Sequence, residues 1–136
     1  MDSTLITLTG DELGIHANTK ELRHAAMRYA EQHLIGHEFT NADSGHTIKV
    51  TRQGMKHALY GGNAIELRLT VGLPAILECA KYQGAEPDRL GREHIKAAHK
   101  YHATVLVGGE RLHIGIVTRE RHNGYEHYDH FVIGAK

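Results

Sequence analysis

The last third of the chain constrains the fold most, because it consists of three runs of alternating apolar and polar residues separated by turn dipeptides. The runs cover about 100–107, 110–119 and 125–133. Gly108-Gly109 and Asn123-Gly124 separate them, and both are pairs that two-residue hairpin turns prefer. The pattern therefore predicts an antiparallel β-meander.

Two-residue turns also fix which side chains share a face of the meander. Across Gly108-Gly109 the register pairs Val105 with Leu112, and it extends one mainly apolar face across all three runs. The other face is predicted to carry mostly polar side chains: His102, Thr104, Leu106, Arg111, His113, Val117, Arg119, Tyr128, His130 and Val132.

Helices are predicted before the meander. Asn18 and Glu21 have the spacing of a capping box, and apolar residues recur at helical intervals up to Leu34. A small hairpin is predicted over about 39–50, and Thr51 is expected to cap a short helix that follows. Residues 65–80 fit both a strand and a helix, and the length of the pattern favours a helix interrupted near Pro74 and closed by Gly84.

The order of these elements indicates an α+β domain, with N-terminal helices packed on one face of a C-terminal antiparallel meander. At 136 residues the chain is expected to be a single domain, 1–136. We place its helical part at about 18–96 and its meander at about 100–133.

Histidine is the outlier of the composition, with 13 copies beside 16 Lys plus Arg and 16 Asp plus Glu. The formal net charge is zero, so any surface that binds an anion has to be local. The single Cys79 excludes an internal disulfide. No apolar run approaches the length of a membrane span, and no membrane partner is expected.

The polar face of the meander combines imidazoles, guanidiniums and a phenol, with Glu126 beside the turn as its one carboxylate. A half-solvated sheet carries polar residues on its wet face by default. In a chain with equal numbers of acids and bases, however, a face rich in His and Arg and poor in acids favours a phosphate ligand.

Zinc is the main alternative use for so many histidines, but no complete ligand set is visible. His33 and His37 are four apart, yet the HExxH pattern fails at Asn41. Another group flanks the second predicted turn without an evident carboxylate to orient it: His122, His127 and His130. We therefore expect no metal site, and the absence of Walker and GxGxxG motifs predicts no nucleotide cofactor.

Six short motifs are spread over about Thr9 to Ile133: Asn41-Ala42-Asp43-Ser44-Gly45, Gly54-Met55-Lys56-His57, Leu73-Pro74-Ala75-Ile76-Leu77-Glu78-Cys79-Ala80, Tyr101-His102, Val107-Gly108-Gly109 and Tyr125 to His130. Together they resemble a family of phage large polyvalent protein-associated domains. That family looks like a branch of the barnase/EndoU/colicin/RelE-like nuclease superfamily. The resemblance implies helices packed on an antiparallel sheet of about four strands.

The resemblance also implies toxin-like, metal-independent cleavage of RNA, often transfer RNA, through attack of a ribose 2′-hydroxyl on the adjacent phosphate. The residues of this chain that match the family's motif positions, and to which the resemblance assigns a place in the site, are Lys56, His57 and His102. We expect His102 to act as the base and His130 or His57 as the acid.

The remaining residues are assigned to the site by strand parity and not by the motifs. Arg119 is expected to hold the phosphate together with Lys56, and Tyr128 to donate a hydrogen bond to it. Three further phosphate-binding candidates share the face: Thr104, Arg111 and His113.

RNA, in particular transfer RNA, is thus the expected partner, and a cognate immunity protein is the second. We expect action in the bacterial cytoplasm, after delivery within a phage or toxin polyprotein. The alternative is a non-catalytic module of the same fold that binds RNA or protein. A purely structural or immunity-binding domain is the third class.

Overall fold

The computed structural model describes residues 6–88, 90–122 and 124–134. Its elements in chain order are β1 (Ile6–Leu8), α1 (Thr19–His33), β2 (Glu38–Thr40), β3 (Thr47–Lys49), α2 (Arg52–Tyr60), α3 (Ala64–Leu69), a 3-10 turn (Thr70–Gly72), α4 (Leu73–Cys79), β4 (Lys81–Glu86), β5 (Ile95–Val107), β6 (Glu110–Arg121) and β7 (Glu126–Ile133). The α+β class predicted from the sequence is confirmed.

The strands form a curled open sheet of seven strands in the order β1-β5-β6-β7-β3-β2, with β4 also paired to β5. Strands β5, β6 and β7 are the predicted antiparallel meander. The sheet is larger than that meander and is mixed, because β1 runs parallel to β5 and β3 runs parallel to β7.

The turn at Gly108-Gly109 has the predicted register, with Val105 opposite Leu112. Both glycines have a positive φ, which a two-residue hairpin turn requires. The inner face, defined by Ile114 and Ile116, is buried as predicted, with 0% and 1% exposure. Of the second predicted turn, Asn123 lies outside the described residues.

A β-bulge at Asp129 changes the register between β6 and β7. Val117 lies opposite His130, but the next residue of β6, Thr118, lies opposite Tyr128. The extra residue in β7 reverses the parity toward the turn, so Tyr128 belongs to the inner face and is 3% exposed. The predicted position of Tyr128 on the polar face is therefore wrong, and Glu126 is likewise buried on the inner face.

The first two helices follow the sequence closely. The Asn18 side chain accepts a hydrogen bond from the backbone N–H of Glu21, and the Thr51 side chain caps α2 in the same way. The third predicted helix is split into α3, a 3-10 turn and α4, with Pro74 in the first turn of α4.

The predicted helical part, 18–96, also contains a strand, β4, that sequence periodicity missed. Helix α4 ends at Cys79, and β4 begins two residues later and pairs with β5. Gly84 therefore lies within a strand and does not close a helix, because pairing with the edge of β5 satisfies this backbone instead.

The helices bury their apolar residues against the inner face of the meander. Ala26 of α1 and Leu67 of α3 join Ile114 and Ile116 in one hydrophobic cluster. Within the described part of the chain, no helix has the length and apolarity needed to cross a bilayer.

Gly54 allows a close approach between helix α2 and strand β7. A Cβ at this position would lie 2.6 Å from the carbonyl oxygen of Tyr128, a backbone atom that cannot rotate away. Alanine normally stabilises a helix relative to glycine by up to about 1 kcal/mol. Here the steric contact dominates, and Gly54 lets α2 rest directly against the bulge of β7.

We expect Gly54→Ala to lower the free energy of unfolding by about 1 to 3 kcal/mol, the usual range for overpacking. Gly61→Ala is the matched control, since a Cβ there would lie 3.8 Å from its nearest neighbour, the carbonyl oxygen of His57. Urea unfolding followed by circular dichroism measures both variants. Equal stability of the two variants would contradict the close contact between α2 and the backbone of β7.

Candidate functional site

The bulge residue Asp129 gathers three basic side chains at one carboxylate oxygen. His130 Nδ1 lies 2.6 Å from Asp129 Oδ2, His57 Nε2 lies 3.5 Å from it and Arg119 Nη2 lies 3.7 Å from it. The rings of His57 and His130 meet edge to face, with centroids 6.1 Å apart. We call these four residues the Asp129 cluster.

Helix α2 brings His57 to the cluster. Its N-terminus rests against Tyr128 at Gly54, and His57 follows three residues later on the same side of the helix. The other members come from the sheet: Arg119 from β6, and Asp129 with His130 from β7. His57 is the most exposed, with 63% of its side chain accessible, against 35% for His130.

Arg119 also contacts a second carboxylate, that of Asp88. Its Nη1 lies 3.5 Å from Asp88 Oδ1, while Arg92 holds the same carboxylate through its backbone N–H and two guanidinium nitrogens at 2.8 to 3.0 Å. These hydrogen bonds from Arg92 hold the pKa of Asp88 well below its usual range. The segment that follows β4 is thereby attached to β6 beside the Asp129 cluster.

A cavity of about 280 Å³ opens between this segment, the outer face of the sheet and the N-terminus of α2. We call it the cationic cavity, because its lining includes three guanidiniums and three imidazoles: Arg92, Arg119, Arg121, His57, His94 and His127. Asp129 is the only carboxylate among its described lining residues. The helix N-terminus adds a partial positive charge, through Thr51, Gln53 and Gly54.

Several buried nitrogens beside this cavity have no hydrogen-bond partner among the described residues. They are Nε of Arg119, Nε of Arg121 and both ring nitrogens of His127. Burial lowers the pKa of His127, and the charges of Arg121 and Lys49 lower it further, so this ring is neutral at pH 7. Buried donors without partners are costly, and an anion entering the cavity would bring acceptors close to them.

A second cavity, of about 210 Å³, lies on the other side of His57. His130 and Tyr128 line it together with Glu66 and Thr70. Burial raises the pKa of the Tyr128 phenol well above its usual range, and the charges of Glu66 and Asp129 add to the effect. Tyr128 therefore remains protonated and can act only as a neutral phenol.

The charge state of Asp129 depends on its neighbours. Burial raises the pKa of the carboxyl, but the hydrogen bond from His130 and the charges of the three basic neighbours outweigh burial. The net effect holds the pKa of Asp129 below its usual range, so the group is ionised throughout the neutral region.

We expect Asp129→Asn to lower the free energy of unfolding by about 1.5 to 3 kcal/mol at pH 7, the range for hydrogen bonds to charged groups. The folded pKa is depressed, so the stabilisation is fully present above the unfolded value of about 3.9 and is lost as pH falls through the folded value. Urea unfolding of both proteins at pH 7 and at pH 3 measures the difference. An equal difference at the two pH values would show that the carboxylate is not preferentially ionised in the folded state.

The comparisons with known proteins identify one family. A family model described as large polyvalent protein-associated domain 3 matches residues 17–128, most of the 136 residues. The chain belongs to this family. No curated protein and no solved structure matches it. The matched range includes His57 and Arg119 and ends one residue before Asp129.

In this family member, the residues expected to share one site separate into three places. His57, His130 and Arg119 come together at Asp129, while Tyr128 lies beneath them on the inner face. Lys56 is next to His57 in sequence but lines a groove between α1 and α2 with Lys20 and Met27. Adjacent residues of a helix point about 100° apart, so the expected pairing of Lys56 with Arg119 does not occur.

The remaining expected residues form a separate patch on the outer face, toward the Gly108-Gly109 turn. The ring of His102 stacks on His113 with centroids 5.8 Å apart, and Thr104 Oγ1 lies 3.3 Å from His113 Nδ1. Arg111 lies further along, opposite Leu106. His102 lies opposite Gly115, four residues and about 13 Å along β6 from Arg119. The structure therefore does not bring His102 to His57, contrary to the expectation.

Sequence reasoning did not place five side chains at the site: Asp129, Arg92, Arg121, His94 and His127. Parity through a regular hairpin cannot reveal Asp129, because it is the residue that a bulge inserts. Arg92 arrives by a loop whose path no periodicity predicts. Arg121 does share its parity in β6 with Arg119, so the outer face could have been extended to it from the sequence.

Proposed function

We propose that this chain is a metal-independent endoribonuclease that cleaves RNA by 2′-hydroxyl transesterification. One observation carries the proposal: a single carboxylate holds two histidines and an arginine together beside a cavity lined by three guanidiniums. This reaction needs a base, an acid and a cation at one phosphorus. The Asp129 cluster contains all three.

His130 is the proposed base. Its Nδ1 donates to Asp129, which fixes the tautomer and leaves Nε2 to accept the proton of the 2′-hydroxyl. A carboxylate in this position also stabilises the imidazolium that forms, as in other carboxylate–histidine pairs.

His57 is the proposed acid that protonates the departing 5′-oxygen. It is more loosely held than His130 and far more exposed, so it can follow the leaving group. His57 lines both cavities, and the substrate strand is proposed to run past it from one cavity to the other. This arrangement replaces His102 as the base expected from the sequence, because His102 lies in the separate patch.

Arg119 is the proposed stabiliser of the charge that develops on the phosphorane oxygens. Two carboxylates hold its guanidinium in place, those of Asp88 and Asp129, so little reorganisation is needed during the reaction. Arg121 and the N-terminus of α2 are proposed to bind the flanking phosphate.

We infer that the substrate is recognised mainly through its backbone. The cationic cavity offers positive charge and has room for about one phosphate with its sugar, at 280 Å³. Contacts to phosphates position a nucleic acid but read no sequence, so no particular base sequence is required of the substrate. Bulk transfer RNA, the substrate that the resemblance implies, is therefore the proposed substrate pool.

Membership in the nuclease superfamily, a cognate immunity protein as partner and action in the bacterial cytoplasm are part of the same proposal. The family name supports delivery as a domain of a large polyvalent protein. A cytoplasmic ribonuclease of this kind would need an inhibitor in the cell that makes it.

A second candidate function is phosphate binding without cleavage. It is favoured by the salt-bridged state of the Asp129 cluster, in which both histidines and Arg119 already contact one carboxylate. Incubating the protein with labelled transfer RNA in excess EDTA distinguishes the two functions. Cleavage to fragments with 2′,3′-cyclic phosphate ends is the expected result, and salt-sensitive binding to intact RNA would favour the second function.

A further inference from the structure

A second cluster of titratable side chains lies on the inner face, away from the Asp129 cluster. His46 comes from the turn between β2 and β3, His99 from β5 and Glu126 from β7. One ligand atom of each lies within 4.8 Å of the corresponding atoms of the other two. Glu126 is 3% exposed and His99 is 5% exposed. We call these three residues the inner triad.

Glu126 is oriented by two hydroxyl groups. The Tyr101 hydroxyl and the Thr118 hydroxyl both donate to Oε1, at 2.9 and 2.7 Å. The other oxygen, Oε2, contacts His46 Nδ1. The carboxylate is thus fixed by its neighbours, and the oxygen that contacts His46 is not the one that accepts from the two hydroxyls.

His99 is oriented in the same manner. Its Nε2 lies 2.7 Å from Glu120 Oε1, and its Nδ1 lies 2.7 Å from the Tyr82 hydroxyl. The hydrogen bond to Glu120 places the ring proton on Nε2, so the lone pair of Nδ1 accepts the hydrogen bond from the Tyr82 hydroxyl. A carboxylate that accepts from one nitrogen of a histidine is the usual partner of a histidine whose other nitrogen binds a metal.

The turn that carries His46 is built rigidly. The buried Asn41 donates from Nδ2 to the carbonyl oxygens of Leu77 and Ala80, both at 2.8 Å, and accepts from the backbone N–H groups of Asp43 and Ser44. The turn is therefore attached to the end of α4, and His46 is held over the sheet without contributing to the apolar core.

We propose that the inner triad binds one first-row divalent transition metal ion, such as Zn²⁺, through Nδ1 of His46, Nδ1 of His99 and Oε2 of Glu126. Two imidazole nitrogens and one carboxylate oxygen are a ligand set that Zn²⁺ uses, whereas Mg²⁺ and Ca²⁺ prefer oxygen ligands throughout. The metal takes the place of the proton between His46 and Glu126, which passes to the other ring nitrogen or to solvent. The metal replaces the hydrogen bond from the Tyr82 hydroxyl to Nδ1 of His99, and the released hydroxyl or a water completes the coordination.

The Asp129 cluster also brings two histidines and a carboxylate within 4.8 Å, namely His57, His130 and Asp129. A cation is disfavoured there, because the guanidinium of Arg119 lies 3.7 Å from the same carboxylate oxygen. At the inner triad, the carboxylate ligand Glu126 accepts from two neutral hydroxyls, and Lys96 pairs with Glu120 at 3.6 Å. The positive charge of Arg119 therefore disfavours a metal ion at the Asp129 cluster and favours the inner triad as the metal site.

The proposal departs from the expectation of no metal that the sequence supports. The three ligands lie 53 and 27 residues apart along the chain, so no local spacing reveals them. The proposed metal joins the β2–β3 turn to the meander and takes no part in the proposed cleavage of RNA. Its test therefore needs no activity measurement, and its failure would leave the ribonuclease proposal unchanged.

Titration of the metal-free protein with Co²⁺ tests the site, because Co²⁺ bound by histidine and carboxylate ligands absorbs in the visible range. We expect one equivalent to bind, and an excess of about 100 times the dissociation constant to raise the melting temperature by roughly 5 to 10 °C. His46→Gln and Glu126→Gln are expected to weaken binding at least about 100-fold.

His57→Gln is the matched control, since it removes a histidine from the other candidate ligand set and should bind Co²⁺ as the wild type does. His46 is 39% exposed in its side chain, so its variant is expected to fold, and the melting temperature without metal verifies this. Absence of stoichiometric Co²⁺ binding, or loss of binding in His57→Gln but not in His46→Gln, would overturn the proposal.

Discussion

Replacing His57 by glutamine is expected to lower the rate of RNA cleavage by about 10² to 10⁴, the usual contribution of a general acid. The side chain is 63% exposed, so the fold should be unaffected. Glutamine retains a hydrogen-bond donor toward Asp129 but cannot supply a proton near neutral pH. The measurement is single-turnover cleavage of a labelled RNA substrate, with the melting temperature recorded for each protein.

His102→Gln is the informative control for His57→Gln. The motif resemblance places His102 in the site, but in the structure it stacks on His113 and lies four residues along β6 from Arg119. We therefore expect His102→Gln to cleave within about threefold of the wild-type rate, well below the loss that a general base produces. A large loss in His102→Gln with full activity in His57→Gln would reverse the assignment of the site.

Replacing Arg119 by alanine is expected to reduce kcat/KM by about 10² to 10³, the loss seen when one donor to a developing oxyanion is removed. Arg119 is proposed to contact the phosphate before and during the reaction, so KM should rise as kcat falls. Asp88 keeps its hydrogen bonds from Arg92, and Asp129 keeps that from His130, so neither carboxylate loses all its partners.

Arg111→Ala serves as the matched control, because Arg111 is an arginine of the same strand and the same face. It lies at the opposite end of β6, beside the Gly108-Gly109 turn. We expect its loss to change kcat by less than about twofold and to weaken RNA binding only as one surface charge does. Equal losses in the two variants would mean that the whole outer face acts as a diffuse electrostatic surface and that the cavity has no special role.

The regular part of the fold was predictable because its signals are local. The capping residues act within a few residues, and Asn18 and Thr51 correctly predicted where α1 and α2 begin. The glycine pair correctly predicted the turn and the register between β5 and β6. The strand β4 was not predictable in this way. Its pairing partner is β5, and the sequence near Gly84 carries the turn residues that also end helices.

The candidate site was predictable only in part, for a geometric reason. Parity along β6 correctly put Arg119 on the outer face, because no irregularity separates it from the Gly108-Gly109 turn on that strand. Parity along β7 gave the wrong face for Tyr128, because the inserted Asp129 moves each residue between it and the turn to the opposite face of the sheet. The meeting of His57 with the sheet depends on Gly54, whose role is visible only once a backbone carbonyl is known to lie against it.

The central claim is that His57 and His130 act on opposite sides of one phosphorus, as acid and base. It is tested most directly with a dinucleotide substrate whose 5′-bridging oxygen is replaced by sulfur. A thiolate is a far better leaving group than an alkoxide, because a thiol has a pKa of about 8.5, and it departs without a proton from the enzyme. We predict that His57→Gln cleaves this substrate at a rate near that of the wild type, while His130→Gln remains slow. Equal impairment of the two variants on the sulfur-containing substrate would contradict the assignment of His57 as the acid.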